Sequence, residues 1–373
     1  MKRYQKHHIL KDLNRKLVFL TGPRQVGKTW LALDIAKSFP NHVYLNYDNY
    51  RDRKIIQNQA WLDDTQLLVL DEIHKMKNWK NFIKGIFDTR PGTMKLLVTG
   101  SARLEAFQAA GDSMAGRFFR HRLLPFSPAE LSLIKEPVDI QKLLSRGGFP
   151  EPFLAEDLIE SNRWRMQYEN GLIRTDVLDF ERIHNFKAIE LVLNLLKMRV
   201  GSPVSYQSIA EDVGVSPNTV KKYIRIFESL YIVFRVAPFS KNIARSILKE
   251  PKIYFYDTGM VAGNEGIKFE NLVAVSLLKH VCAVQDYLGK PCTLNYLRTK
   301  DRAEVDFCIS NRLSPELMIE VKRSDENLSK SIINFNQRYN IPGIQLVLHL
   351  KQERKEKNIE IRNGTNYLKT LMI

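Results

Sequence analysis

The run Gly22-Pro23-Arg24-Gln25-Val26-Gly27-Lys28-Thr29 sets two glycines ahead of an adjacent lysine and threonine, a combination suited to holding a phosphate chain. Glycines let successive backbone N–H groups turn toward phosphate oxygens where a Cβ would stand in the way, and a helix starting at the end of the loop adds its positive dipole end. A lysine at that place reaches the β- and γ-phosphates, and a threonine hydroxyl ligates magnesium. Downstream, "TQLLVLDEIHKM" closes an apolar run with Asp71-Glu72. An aspartate there holds magnesium through water, and a glutamate polarises the water that attacks the γ-phosphate. Together the two runs imply magnesium-dependent hydrolysis of ATP. An acidic strand end that caps the next helix is the plainer reading of Asp71-Glu72.

These residues need rigid carriers. The apolar run Leu17 to Thr21 predicts a strand leading into the loop, and a helical pattern follows it. "MKLLVTGSARLEAF" predicts another buried strand, whose polar end Thr99-Gly100-Ser101 comes to lie beside the other strand ends, since a parallel sheet binds ligands at its carboxyl edge. Ser101 is a candidate sensor of the γ-phosphate or, more plainly, a helix N-cap. Arg117, in "SMAGRFFRHRLLPFSPAEL", is a candidate arginine finger reaching a neighbouring copy in a homo-oligomer, with Arg103, Arg120 and Arg122 as competitors and a surface arginine as the plainer reading.

"SYQSIAEDVGVSPNTVKKYIRIFESLYIVFRVAPF" predicts a short helix, a turn at Gly214, a second helix from Ser216 to about Leu230, and a β-wing. Ala210, Gly214 and Val220 have helix-turn-helix spacing: a small residue for close packing, a glycine for the turn, and an apolar residue inside the second helix. Asn218, Lys221, Lys222 and Arg225 then ride on the exposed side of that helix, a set for DNA phosphates and a base edge. A packing or protein-contact module is the competing reading.

In "DFCISNRLSPELMIEVK", two apolar, β-branched runs flank a turn rich in Asn, Ser and Pro, which predicts a hairpin. Asp306 falls on one strand, and Glu320 and Lys322 share a face of the other. Those three side chains suit a metal site, or a salt bridge only.

At 373 residues the chain exceeds the usual size of one core, so it divides. The expected domains are 1–160, 161–250 and 251–373. Its net charge of +16 is spread along the chain rather than gathered in one segment; it fits a polyanionic partner such as DNA and equally a basic, solvated surface. No apolar run reaches the length of a membrane span, and "MKRYQKHHILKDL" lacks the apolar stretch of a signal peptide, which predicts no membrane partner and a cytoplasmic location. Cys282, Cys292 and Cys308 lack zinc-site spacing and, being odd in number, fit reduced core thiols.

Beyond these readings, the chain resembles prokaryotic AAA+-superfamily ATPases that join an N-terminal P-loop domain, a winged helix and a C-terminal PD-(D/E)xK nuclease-like domain of unknown function. The matching runs are the two phosphate motifs, "SMAGRFFRHRLLPFSPAEL", "GGFPEPFL", "YFYDTGM", "FENLV", "AEVDF" and "IEVKRS". The resemblance implies an α/β chain: a P-loop parallel-sheet ATPase domain, a winged-helix domain and an α/β restriction-endonuclease-like domain. It also implies that Glu270, Asp306 and Glu320 bind magnesium while Lys322 orients the attacking water. Val305 stands where that superfamily commonly has proline, a departure that removes no ligand. The resemblance therefore supports an ATPase coupled to a nuclease-like domain, or a nucleotide-dependent protein switch whose nuclease-like domain does not cleave.

Overall fold

The computed structural model describes residues 3–373 apart from 101–113, 135–137, 173–184, 241–248, 300, 302, 313 and 325–326. The chain forms two compact units, Met1–Leu124 and Pro125–Ile373.

The first unit is built on a parallel sheet of β1 (Leu17–Thr21), β2 (His42–Asn46), β3 (Leu67–Asp71), β4 (Lys95–Thr99) and β5 (Phe118–Arg122). Their order is β2-β3-β4-β1-β5. All the paired neighbours run parallel. Strands β1 and β3 are buried throughout, which is why they read as unbroken apolar runs rather than alternating ones. Because β4 lies between β1 and β3, the end of β4 reaches the phosphate loop and the acidic pair together. Register confirms this, since Thr99 pairs with both Leu20 and Asp71.

The second unit holds the helices Tyr206–Val213 and Pro217–Ser229 and an eight-stranded mixed sheet. Strands β6 (Val233–Pro238) and β7 (Lys252–Phe255) pair antiparallel. Strand β8 (Cys292–Arg298), β9 (Glu304–Asn311) and β10 (Ser314–Lys322) follow the long helix Glu265–Leu288, and β9–β10 is the expected hairpin. The helix Lys330–Tyr339 then leads to β11 (Gly343–Val347), parallel to β10. The order α-β-β-β-α-β found here is the one read from the sequence.

Two boundaries differ from the expected divisions. The first compact unit ends at Leu124 rather than near residue 160. Strand β6 pairs with β7 on one side and with β8 on the other, so both belong to the C-terminal sheet, and a division at 250/251 would separate two hydrogen-bonded strands. Among the described residues no helix is long and apolar enough to cross a membrane.

Candidate functional site

The phosphate loop depends on its glycines. Gly22 has φ 145° and Gly27 φ 96°, a region costly for residues with a Cβ. A Cβ on Gly22 would also lie 2.1 Å from the Leu123 carbonyl oxygen. Gln25 is left-handed too, at φ 58°. Val26 is fully buried and anchors the loop in the core, while Arg24 and Pro23 complete its turn. The Arg3 guanidinium braces it from behind, donating to the carbonyls of Val26 at 3.0 Å and Leu124 at 2.6 Å. Sequence reading missed Arg3, because nothing in the spacing of the basic N-terminal run distinguishes it.

Lys28 starts the helix Lys28–Ala36 and folds back over the loop. Its ammonium donates to the carbonyls of Gly22 at 3.0 Å and Pro23 at 2.5 Å. Burial lowers its pKa to about 8, against the pull of Glu72 and Asp71. Carbonyl oxygens are weak partners for an ammonium compared with phosphates, so this lysine is available for a polyanion.

Asp71 is 2% exposed, and its hydrogen-bond partners are neutral hydroxyls. Thr29 Oγ1 donates to Oδ2 at 2.9 Å, Tyr44 OH donates to the same oxygen at 2.6 Å, and Thr99 Oγ1 donates to Oδ1. The Tyr44 hydroxyl is held above its ordinary pKa by burial and by that hydrogen bond. Thr29 and Asp71, the two side chains expected to hold magnesium, therefore already meet. Neighbouring Glu72 adopts a left-handed backbone, φ 55°, and its N–H donates to Thr99 O at 3.1 Å. Burial raises its pKa while Lys28 opposes the shift. Among the described residues Glu72 Oε2 accepts no hydrogen bond, with His74 Nε2 3.6 Å away. A buried, unsatisfied carboxylate oxygen is costly to maintain and suits a group that takes a proton from water. Tyr44 was the unforeseen member: its strand reads only as a short alternating run.

Ser101 lies outside the described residues. Arg117 is engaged within its own chain, with Nε 2.9 Å from Asp88 Oδ1 and Nη2 3.2 Å from Oδ2. That fork holds the Asp88 carboxyl below its usual range, and an arginine finger at this place would first have to leave it.

In the second unit, Gly214 turns at φ 74° between the two helices, and Ser216 Oγ accepts from Thr219 N at 3.1 Å as the N-cap. Ala210 and Val220 are buried, whereas Asn218, Lys221, Lys222 and Arg225 are all exposed. One face of the second helix thus presents three cations to solvent.

The hairpin brings Asp306, Glu320 and Lys322 to one region, with Glu270 of the long helix facing them. Lys322 Nζ stands 2.9 Å from Glu320 Oε1. However, a residue the sequence reading passed over sits among these acids. Lys252, the first residue of β7, places its ammonium 2.9 Å from Glu304 Oε1, 3.1 Å from Asp306 Oδ1 and 3.6 Å from Glu270 Oε1. Burial opposes its charge, but Asp306, Glu270 and Glu304 outweigh burial and raise its pKa. Two further hydrogen bonds reach these acids: Val321 N donates to Asp306 Oδ2 at 2.9 Å, and Tyr254 OH donates to Glu270 Oε1 at 2.7 Å. Among the described residues no three acidic, histidine or cysteine side chains are arranged to hold a metal ion. As they stand, the acids are arranged around an ammonium and do not fit a divalent ion. A signal for Glu304 was present, since it lies two residues before Asp306 on the same strand face; Lys252 had none beyond preceding an apolar run.

Comparison with known proteins divides the chain in a related way. Residues 14–132 match the family "AAA domain", residues 138–270 a domain of unknown function, DUF8612, and residues 265–368 another, DUF4143. The uncharacterized protein MJ1544 of Methanocaldococcus jannaschii is 24% identical, over 87% of this chain and 78% of its own length. The uncharacterized protein Rv2008c of Mycobacterium tuberculosis is also 24% identical, over 85% and 72%. Among solved structures, a Walker-type ATPase of Pyrococcus abyssi is 12% identical and covers 69% of this chain and 94% of that one, with a TM-score of 0.45. Residues 14–132, with their parallel sheet and phosphate loop, are similar to an AAA-type domain, which supports a P-loop ATPase.

Proposed function

We propose that the chain is a magnesium-dependent ATPase that contacts DNA through the helix Pro217–Ser229. The observation that carries the ATPase reading is the meeting of Thr29 and Asp71 beside a phosphate loop whose lysine rests on carbonyls. Magnesium, when bound, neutralises phosphate charge. The loop N–H groups and Lys28 position the phosphates, Thr29 and Asp71 hold the ion, and Glu72 accepts a proton from the attacking water. Ser101 is proposed to sense the γ-phosphate and Arg117 to act across a homo-oligomer. The exposed basic helix supports DNA as partner, and a cytoplasmic location follows from that pairing.

For the C-terminal unit, Lys252 favours the second reading: a nucleotide-dependent protein-interaction switch whose nuclease-like domain does not cleave. ATP turnover by the full chain, measured with and without magnesium and with and without duplex DNA, tests the proposal. Turnover that needs magnesium and rises with DNA is expected; turnover indifferent to magnesium contradicts the ATPase assignment, and indifference to DNA points to a protein partner.

A further inference from the structure

We infer that Lys252 is the resident cation of the C-terminal carboxylate cluster, and that its ammonium and a divalent ion exclude one another there. The inference extends the second reading above, and its test is independent of ATP turnover and of DNA.

The geometry is that of a filled cation site. One ammonium, on a side chain 1% exposed, contacts three carboxylates drawn from β9 and from the long helix. Tyr296 adds a ring face 5.6 Å from the same nitrogen, a favourable setting for a cation. Backbone closes the other side, because a Cβ on Gly201 would lie 2.7 Å from Glu270 Oε1. A divalent ion bound by Glu270, Asp306 and Glu320 would lie roughly 2.0–2.6 Å from their oxygens. Asp306 Oδ1 is already 3.1 Å from the Lys252 ammonium, so two like-charged groups would share one small, buried volume. One of them has to leave.

A second feature shows that the cluster is not wholly satisfied by its lysine. Glu320 is 5% exposed, and while Oε1 meets Lys322, Oε2 accepts no hydrogen bond among the described residues. Removing the Lys252 charge would leave Glu270, Glu304, Asp306 and this oxygen without a central cation, which is the condition under which a carboxylate cluster binds metal. Lys252 belongs to strand β7 and not to the hairpin, so the neutralising charge comes from outside the hairpin.

Manganese binding to the full-length chain without nucleotide, followed by the loss of the free Mn2+ paramagnetic resonance signal, decides the matter. Comparison of each protein with its Asp306→Asn counterpart isolates this cluster from the phosphate loop. Wild type and Asp306→Asn should titrate alike. Lys252→Met should gain a site about tenfold or more tighter than any Asp306-dependent binding in wild type, and Lys252→Met with Asp306→Asn should lose it. Lys252→Arg, which keeps the charge, should gain nothing. Asp306-dependent binding in wild type as tight as in Lys252→Met overturns the inference, as does a folded Lys252→Met that gains no site. Should Lys252→Met fail to fold, the wild-type and Asp306→Asn titrations still decide: identical curves support the resident ammonium, and an Asp306-dependent site refutes it.

Discussion

Two places in this protein bring a lysine close to carboxylates, and they resolve the charge in opposite ways. In the nucleotide domain the Asp71 carboxylate is satisfied by the hydroxyls of Thr29, Tyr44 and Thr99, while Lys28 rests on the carbonyls of Gly22 and Pro23. In the C-terminal unit Lys252 binds its acids directly. Neutral partners can be exchanged for ligands at modest cost, since a hydroxyl contact to a carboxylate contributes about 1.5–3 kcal/mol net and an incoming ligand replaces it. A buried ammonium in contact with its counter-ions is held far more firmly, because separating such a pair leaves a charge stranded away from water. The first arrangement is that of a site prepared for a ligand and the second that of a site already filled, although both would pass for binding sites by residue type alone.

The largest effect expected from this contrast is on turnover. Glu72→Gln should keep ATP binding and lose about 10²–10⁴ of the hydrolysis rate, the usual contribution of a positioned base. Single-turnover rates beside an equilibrium binding measurement would show it, and equal rates in variant and wild type would remove Glu72 from the mechanism.

Stability should respond most at the other site. Lys252→Met strands Glu304, Asp306 and Glu270 without their cation and should cost about 3–5 kcal/mol in urea unfolding without added metal. Adding Asp306→Asn should recover part of that loss, since one stranded charge is removed. A cost below about 1 kcal/mol would mean that solvent already screens the cluster, and the comparison would fail.

How far the sequence spoke differs between the same two sites. The shape of the phosphate loop was legible because it is local: Gly22 to Thr29 lie within one strand–loop–helix step, and Asp71 ends a buried strand. Tyr44 and Arg3 were not, because their role comes from the sheet order and from the packing together of segments far apart in the chain. In the C-terminal unit the hairpin and the order of its elements were legible from apolar runs and turn residues. Lys252 was hidden, because the pairing of β7 with β6 and of β6 with β8 that brings it to the acids is long-range, and a lysine ahead of "IYF" looks like any strand boundary. The same pairing joins β6 and β7 across the boundary expected at 250/251.

A smaller effect concerns the exposed helix. Replacing Lys221, Lys222 and Arg225 with alanine should flatten the log–log salt dependence of DNA binding by up to about three units, since each phosphate that a cation neutralises adds about 0.9 to the slope. An unchanged slope assigns that face to a protein partner and leaves the nucleotide site as the only polyanion-binding region of the comparison.

The smallest effect separates the two lysines by pH. Burial brings the Lys28 pKa to about 8, whereas the acids around Lys252 raise its pKa. A bound phosphate chain favours the charged ammonium, so above pH 8 Lys28 must take up a proton when nucleotide binds, and affinity must fall there. The sign follows from the direction of the shift: below pH 8 the ammonium is already charged and affinity is flat, while above it the uptake approaches one proton and the dissociation constant rises toward tenfold per pH unit. From pH 7 to 8.5 this gives roughly a fourfold weakening. Titration of wild type with a non-hydrolysable ATP analogue across that range tests it, with Lys28→Arg as a control that stays charged and should give a flat profile in whatever affinity it retains. The Lys252 cluster predicts no matching change, because its ammonium remains charged throughout. A flat wild-type profile would mean that the Lys28 ammonium is fully charged on its carbonyls, and the contrast between an available and a committed lysine would then rest on geometry alone.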